Sequence, residues 1–398
     1  MYRKQTKKHL QERKGIEMIA GRYVSIALLV LIVLAGGSCE DDLQSDLQRS
    51  INAAKQGEVV TIPPGTHRGT IRLDRPLTLK GESPETCILE LTADKPVIFV
   101  SSRKPVVIDS VTIKWQLATS ERHKGPVCAL AVKDGSATIR NCRLIALGSI
   151  KRCPSAVQCF GFSNVKLENC RFEGFEFTIG YDGGSEGSIT DCVILNPGHC
   201  GATVYSGSKL EVARNIVTGS GYHGLRCTGG TLLAHDNLII KNKNRGIYLG
   251  NKSASGRVSN NVILGNGTGI SAFAQTDVTI ENNVILNSSY AGLGTRDSCP
   301  LTVRNNVFQE NTRGIAIFEE AGTNRVTLGQ NSFWNNQTDT ENFERPANSI
   351  LVDPSFEAPD RGNFSPKDDE LRTNKQGLSD PSIFGPLWEK WNAISQKL

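Results

Sequence analysis

Two columns of residues recur through the middle of the chain at a period close to 22. The first reads Cys142, Cys170, Cys192, Asn215, Asn237, Asn261, Asn283, Asn306 and Asn331, with successive spacings of 28, 22, 23, 22, 24, 22, 23 and 25. The second pairs glycine with an apolar residue: Gly201-Ala202, Gly224-Leu225, Gly246-Ile247, Gly269-Ile270, Gly292-Leu293 and Gly314-Ile315, spaced 23, 22, 23, 23 and 22. Columns that hold register for so long mark an internal repeat. The segments between them are short, β-branched and alternating, as in Gly246-Ile247-Tyr248-Leu249. Helical periodicity is absent there, which excludes helical and leucine-rich solenoids. A period near 22 with about three short strands is one turn of a parallel β-helix, and successive turns stack at roughly 4.8 Å. Like residues then lie over like. Apolar columns fill the interior, and the Asn column falls at turns, where Asn tolerates left-handed geometry and its amide can bond along a ladder. That column is structural.

Composition adds a location. The net charge is +5 over 398 residues. Residues 1–38 hold seven basic side chains (Arg3, Lys4, Lys7, Lys8, Arg13, Lys14, Arg22) and two acidic ones (Glu12, Glu17), so they supply all of it. The remainder is neutral, which removes any charge argument for nucleic-acid binding. The basic stretch leads into the apolar run Val24–Ala35, the order expected of a targeting signal, and Met18 offers a second start. Gly37-Ser38-Cys39 is similar to a bacterial lipobox, with Gly36 where Leu is usual; Cys39 is then the lipidation site. Plain cleavage near Gly37 and an uncleaved membrane anchor are the alternatives. Each places the body of the protein outside the cytoplasm, secreted or in the cell envelope. Ten cysteines follow Cys39, and that compartment permits disulfides. Yet Cys142, Cys170 and Cys192 each end a β-like run, which suits small, buried, unpaired residues stacked inward. No Cys-x-x-Cys occurs.

The repeats over about residues 100–345 resemble the right-handed parallel β-helix proteins of the pectin-lyase-like superfamily. The start of the body matches too: Asp46–Gly57 has helical apolar spacing, and Glu58-Val59-Val60-Thr61-Ile62-Pro63-Pro64-Gly65-Thr66-His67 follows. In that superfamily such a helix caps the lower end of the core. A solenoid end needs a cap because it exposes apolar side chains and strand edges. The expected architecture is all-β: a single right-handed parallel β-helix with an N-terminal capping helix and a C-terminal cap. The expected segments are a targeting segment (1–38), an N-terminal cap (39–57), the β-helix (58–345) and a C-terminal cap and tail (346–398). In the tail, Leu387–Ile394 reads as a short amphipathic helix docked at the C-terminal end of the solenoid, with Trp388 and Trp391 as packing residues.

Many members of the superfamily cleave or epimerise acidic polysaccharides along one sheet face. Their motifs do not carry over. Of the polygalacturonase set only Gly198-His199-Cys200-Gly201 is present, without a paired Asp-Asp. The Asp-Pro-His-Asp of alginate epimerases and the Arg-x-Pro-x-x-Arg of pectate lyases are absent. A shared scaffold does not fix function, so the site must be read directly.

Alternation supplies that reading. With Leu225, Ile247, Ile270, Leu293 and Ile315 inward, Arg226 and Tyr248 point outward, and two positions on the outward column is Tyr205, Thr228, Gly250, Phe273, Arg296, Phe318. Aromatic rings suit the apolar faces of sugars, and Arg226 and Arg296 suit uronate carboxylates. Tyr205, Arg226, Tyr248, Phe273, Arg296 and Phe318 are therefore the candidate substrate-binding residues. Asp297 and Glu319 share a column one coil apart and are the candidate catalytic pair, near the carboxylate separation of a retaining glycosidase. They also suit a shared Ca²⁺, the cofactor expected if the chain is a lyase. His199, Cys200, His223 and Cys227 fall on adjacent coils and raise a metal-handling alternative, but they are offset, and no metal ligand set is assigned. The expected partner is a polysaccharide, with the membrane reached only through the N-terminal segment or lipid, and the chain is expected to be a monomer. The alternative class is a non-catalytic envelope scaffold or adhesin.

Overall fold

The computed structural model describes residues 46–118, 127–150, 153–205, 207–251, 253–274, 277–296, 298–318 and 325–396. Among them lie three parallel sheets of twelve strands each. Sheet A runs from Val59–Ile62 to Val326–Leu328, sheet B from Gly65–Arg68 to Ser332–Trp334, and sheet C from Ile71–Leu73 to Thr338–Glu341. Every coil contributes one strand to each sheet, and pairing is always with the coils before and after. This is the single β-solenoid that the two columns imply.

Register turns the sequence columns into physical ones. On sheet A, Ile139 pairs with Ile108 and Leu167, and the line continues through Ile189, Val212, Ala234, Val258, Ile280 and Val303, all fully buried. On sheet C, Leu225, Ile247, Ile270, Leu293 and Ile315 stack in register and are fully buried. Each Val, Leu and Ile among them contributes about 1.5–3 kcal/mol of burial.

The Asn column lies at the corner between sheets A and B. Asn237 Nδ2 donates to Asn261 Oδ1 at 3.0 Å, Asn261 to Asn283 at 2.9 Å and Asn283 to Asn306 at 2.9 Å. Each Oδ1 also accepts the backbone N–H of the previous coil's Asn, as Asn283 Oδ1 does from Asn261 at 3.0 Å. One part of the expectation needs correcting. The ladder residues do not adopt left-handed geometry; the residue before each does, with φ of 56° at Arg214, 61° at Asp236, 54° at Asn260, 55° at Asn282 and 57° at Asn305. That residue turns the chain, and the turn aims the next side chain inward. In the earlier coils cysteine takes the ladder position. Cys142, Cys170 and Cys192 are buried and unpaired, and their thiols lie on the carbonyls of Arg140, Glu168 and Thr190 at 3.0, 3.3 and 3.2 Å. No disulfide joins any of the ten cysteines in the described residues.

A second ladder, not anticipated, follows five residues later at the corner between sheets B and C. Asn242 Nδ2 donates to Asn266 Oδ1 at 2.9 Å and Asn311 Nδ2 to Asn336 Oδ1 at 3.1 Å, with Ser288 between them taking part through its backbone N–H.

Helix α1 (Asp46–Ala53) buries Leu47 and Ile51 against the first coil, as a cap should. Helices α2 (Asp369–Thr373) and α3 (Phe384–Ser395) form the C-terminal part. It is helical, as the sequence suggests, but it docks elsewhere than over the last coil. Sheet B turns an apolar outer strip outward through Val193, Leu195, Ile216, Leu238, Ile240, Val262, Val284, Leu286 and Val307. The tail lies back along this strip, burying Phe356, Phe364, Phe384, Leu387, Trp391 and Ile394 there as a second core. Bonds mark its path: Gly377 N to Asn305 O at 2.8 Å, Ser379 N to Asn260 Oδ1 at 2.7 Å, and Lys390 Nζ to Asp191 O at 3.0 Å. Chain direction in the tail thus opposes coil order. Covering this strip takes a contiguous apolar face of sheet B out of water.

Candidate functional site

With sheet B covered, sheet C offers an outer face rich in rings and cations. Its glycine column explains how that face is built. A Cβ on Gly224 would sit 2.6 Å from the carbonyl oxygen of Gly246, and one on Gly246 only 2.7 Å from that of Gly269. None of these glycines has positive φ, so close approach of coils, rather than turn geometry, excludes a side chain. The approach brings the outward side chains of consecutive coils into contact.

The structure places the sequence-derived residues on this face in two columns. Arg226 pairs with Tyr248. Tyr205 pairs with Thr228, Gly250 with Phe273, and Arg296 with Phe318. All six candidate binding residues are half-buried. Asp297 and Glu319 lie outside the described residues, as does Cys39.

The rings form one continuous run. Centroid separations are 4.5 Å for Phe177–His199, 4.7 Å for His199–Tyr222, 3.9 Å for Tyr222–His223 and 5.0 Å for His223–Tyr248. The run continues at 6.3 Å for Tyr248–Phe273, 6.4 Å for Phe273–Phe318 and 6.5 Å for Phe318–Tyr290. Guanidinium groups lie over it: Arg245 is 5.0 Å from the Tyr248 centroid, Arg296 is 5.3 Å from Phe273, and Arg313 is 4.8 Å from Tyr290. Such pairs hold both partners in place, and Arg245 also gives its Nε to Ser271 Oγ at 2.9 Å. Between the rings the outward positions Ser271, Gly294 and Ala316 are small and buried, and the Phe318 ring lies 3.8 Å from where a Gly294 Cβ would be.

Alternation alone missed Phe177, His199, Tyr222, His223, Arg245, Tyr290 and Arg313 as members of the face. Their signal is position: His223, Arg245 and Arg313 each immediately precede a column glycine. That position lies at a corner, where strict in–out alternation stops.

The electrostatics are one-sided. Burial first, then the charge of Arg226, pulls the His199 pKa down to about 4. Burial, then Arg245, Arg226 and His199, pulls His223 down to about 2. Both imidazoles are neutral at physiological pH. Burial pushes the Cys200 thiol up to about 11, and also raises Tyr205. Arg313 is paired with Glu341 at 2.8 Å. Among the described residues, no group of three or more His, Cys, Asp and Glu side chains converges on a metal position.

Comparison with known proteins identifies this scaffold. A family model described as the right-handed beta helix region matches residues 97–239 and 231–352. The chain belongs to the right-handed β-helix family. Among solved structures, the periplasmic alginate epimerase AlgG superposes with a TM-score of 0.58 at 14% identity, covering 74% of this chain and 82% of that one. The catalytic unit of a thermostable GH87 α-1,3-glucanase from Streptomyces thermodiastaticus superposes with a TM-score of 0.52 at 14% identity, covering 79% and 71%. At these identities the likeness establishes the β-helix fold. A search of curated proteins found no match.

Proposed function

We propose that this β-helix protein works outside the cytoplasm, secreted or anchored in the cell envelope through its N-terminal segment, and binds a polysaccharide along the outer face of sheet C. The observation that carries the reading is the unbroken ring run from Phe177 to Tyr290 with arginines over it. Stacked coils repeat the rings at roughly 4.8 Å, which suits a long polymer of flat-faced units better than one small molecule. One sugar face on one ring contributes about 1–2 kcal/mol, so several subsites acting together supply useful affinity. The two solved relatives named above are described as an epimerase of alginate and an α-1,3-glucanase, which supports a carbohydrate ligand on this scaffold. Tyr205, Tyr248, Phe273 and Phe318 act as stacking platforms, and Arg226 and Arg296 orient the chain. If the protein also transforms its ligand, Asp297 and Glu319, next in sequence to Arg296 and Phe318, carry the acid chemistry.

The test is a panel of acidic and neutral polysaccharides applied to the purified protein, with binding and chain cleavage both recorded. Binding by wild type that falls more than tenfold in a Phe273→Ala/Phe318→Ala double variant supports the reading. Loss of turnover but not of binding in Asp297→Asn or Glu319→Gln supports the catalytic part. Absence of any glycan binding favours a scaffold that presents its repeats to protein partners.

A further inference from the structure

Among the polar contacts that hold the tail on sheet B, one leads to a titratable group. Asn260 sits at the corner between sheets A and B and is buried. Its Oδ1 accepts the backbone N–H groups of Ser379 and Asp380 at 2.7 and 3.2 Å. Its Nδ2 donates to Asp236 Oδ1 on the preceding coil and, at 3.4 Å, to Asp380 O. Asp236 Oδ2 in turn lies 2.7 Å from His235 Nδ1, and His235 Nε2 lies 3.0 Å from Glu211 Oε1. Both ring nitrogens therefore face carboxylate oxygens. A neutral imidazole carries one N–H and can serve one carboxylate; only the imidazolium donates to both. One proton is thus tied to a line of bonds that ends on the tail.

The neighbouring charges are already engaged. Arg214, on the coil of Glu211, is held by Asp191 through two bonds at 2.9 Å. Arg257, on the coil of Asn260, is paired with Glu281. From the tail, Lys390 gives its Nζ to Asp191 O at 3.0 Å, and Asp380 turns its carboxylate to Ser382 N at 3.1 Å. Ala213 and Ser259, in register with His235 on either side, are uncharged. Asp236 keeps only 17% of its side chain exposed, so its carboxylate relies on the ring beside it. In keeping with this, the hydrogen bond to Asp236, and after it that to Glu211, raises the His235 pKa against the effect of burial.

We propose that His235 is a pH-sensitive latch for the tail: its imidazolium holds Asp236, Asp236 fixes the Asn260 amide, and the amide holds the tail backbone at Ser379 and Asp380. Loss of the ring proton leaves a mostly buried carboxylate without its cation. That carboxylate is better served by turning to water, and the Asn260 amide then loses its anchor. The latch is closed below the ordinary histidine pKa near 6.5 and opens as pH rises through the higher folded value. Opening loosens the tail next to Gly377, which lies over Val284 and Val307, and bares the apolar strip there. Coupling of this kind is reciprocal, so releasing the tail lowers the His235 pKa. None of these residues belongs to the glycan face of sheet C, and the inference does not rest on that reading.

The experiment uses the full chain. The His235 ring signals are titrated by nuclear magnetic resonance between about pH 6 and 9, and the hydrogen-exchange protection of the Ser379 and Asp380 amides is followed over the same range. Protection is expected to fall about two- to fivefold, the share of one partly screened pair, with the midpoint of the His235 titration. Glu211→Gln removes one of the two carboxylates on the ring and should lower both midpoints together while leaving the tail docked at the acid end. Leu387→Asp, which frees the tail from the second core, should lower the His235 midpoint. Protection that does not change with pH overturns the latch. So does pH-dependent protection that survives in His235→Gln, a protection midpoint that stays in place when Glu211→Gln moves that of the ring, or a His235 midpoint unchanged in Leu387→Asp.

Discussion

Asn283→Ala removes one rung of the ladder at the corner between sheets A and B. In the native protein Asn283 Nδ2 donates to Val258 O, Glu281 O and Asn306 Oδ1, each at 2.9 Å, while its Oδ1 accepts from the backbone N–H and side-chain Nδ2 of Asn261 at 3.0 and 2.9 Å. All of this is fully buried. Asn261 Nδ2 keeps its bonds to Ala234 O and Ser259 O after the change, but the Asn261 N–H loses its only partner, and two carbonyls lose the amide they shared. An orphaned buried donor costs about 1–3 kcal/mol, and with the two carbonyls the expected loss is about 3–5 kcal/mol. Asn283→Asp should cost at least as much, because a carboxylate oxygen then faces two carbonyl oxygens in the core. Urea unfolding followed by circular dichroism measures the sum. A solenoid can open in segments, so the decisive reading is amide hydrogen exchange at Asn261, which should become fast while coils far from the site stay protected. A loss below about 1 kcal/mol with the Asn261 amide still protected would show that the ladder follows the turns rather than stabilising them.

Thiol counting in denaturant without reductant should find all ten cysteines from Cys87 to Cys299 reactive, and any blocked pair would contradict the unpaired stack. Leu387→Asp places a carboxylate in the second core and should release the tail, raising binding of a hydrophobic dye while the solenoid's circular dichroism persists; unchanged dye binding would mean the tail is not held by that core. His199 and His223 have folded pKa values below 6.5, so the unfolded chain binds more protons between 6.5 and about 4 and stability falls as pH drops through that window. Replacing both with Gln should flatten the decline, measured as melting temperature against pH. His235 works with the opposite sign: hydrogen bonds to Asp236 and Glu211 raise its pKa, so its contribution is full below about 6.5 and fades as pH rises through the folded value. His235→Gln should remove that small, partly screened contribution, and an unchanged alkaline limb would refute it.

Much of the candidate site was legible in the sequence, and the rest was not for identifiable reasons. Arg226, Tyr248, Phe273, Arg296 and Phe318 were placed on one face because a strand alternates and the glycine column gives its phase. His223, Arg245 and Arg313 escaped because they sit at the corner before that glycine, where alternation no longer tells direction. The contact of Phe273 with Phe318 spans the coil of Arg296 and depends on side-chain reach, which no column records. The second Asn ladder had a signal, an Asn five residues after the first ladder at Asn242, Asn266, Asn311 and Asn336.

The sequence by itself determined the coil. A period near 22 with β-branched inward columns admits one way of burying those columns, which is to stack them, and that also sets the pairing register and the need for a cap such as α1. Only the tertiary structure decided where the tail goes. Val193, Ile194 and Leu195 are apolar without alternation, a sign of a strand covered on both faces, but nothing local says what covers the outer one. Lys390 meets Asp191 and Ser379 meets Asn260 across long stretches of chain, contacts that exist only once the coils are stacked and the strip on sheet B is assembled. The same holds for the histidines of sheet C. Their neutrality comes from burial among rings of neighbouring coils and from the charge of Arg226, and neither exists along the chain until the coils are brought together.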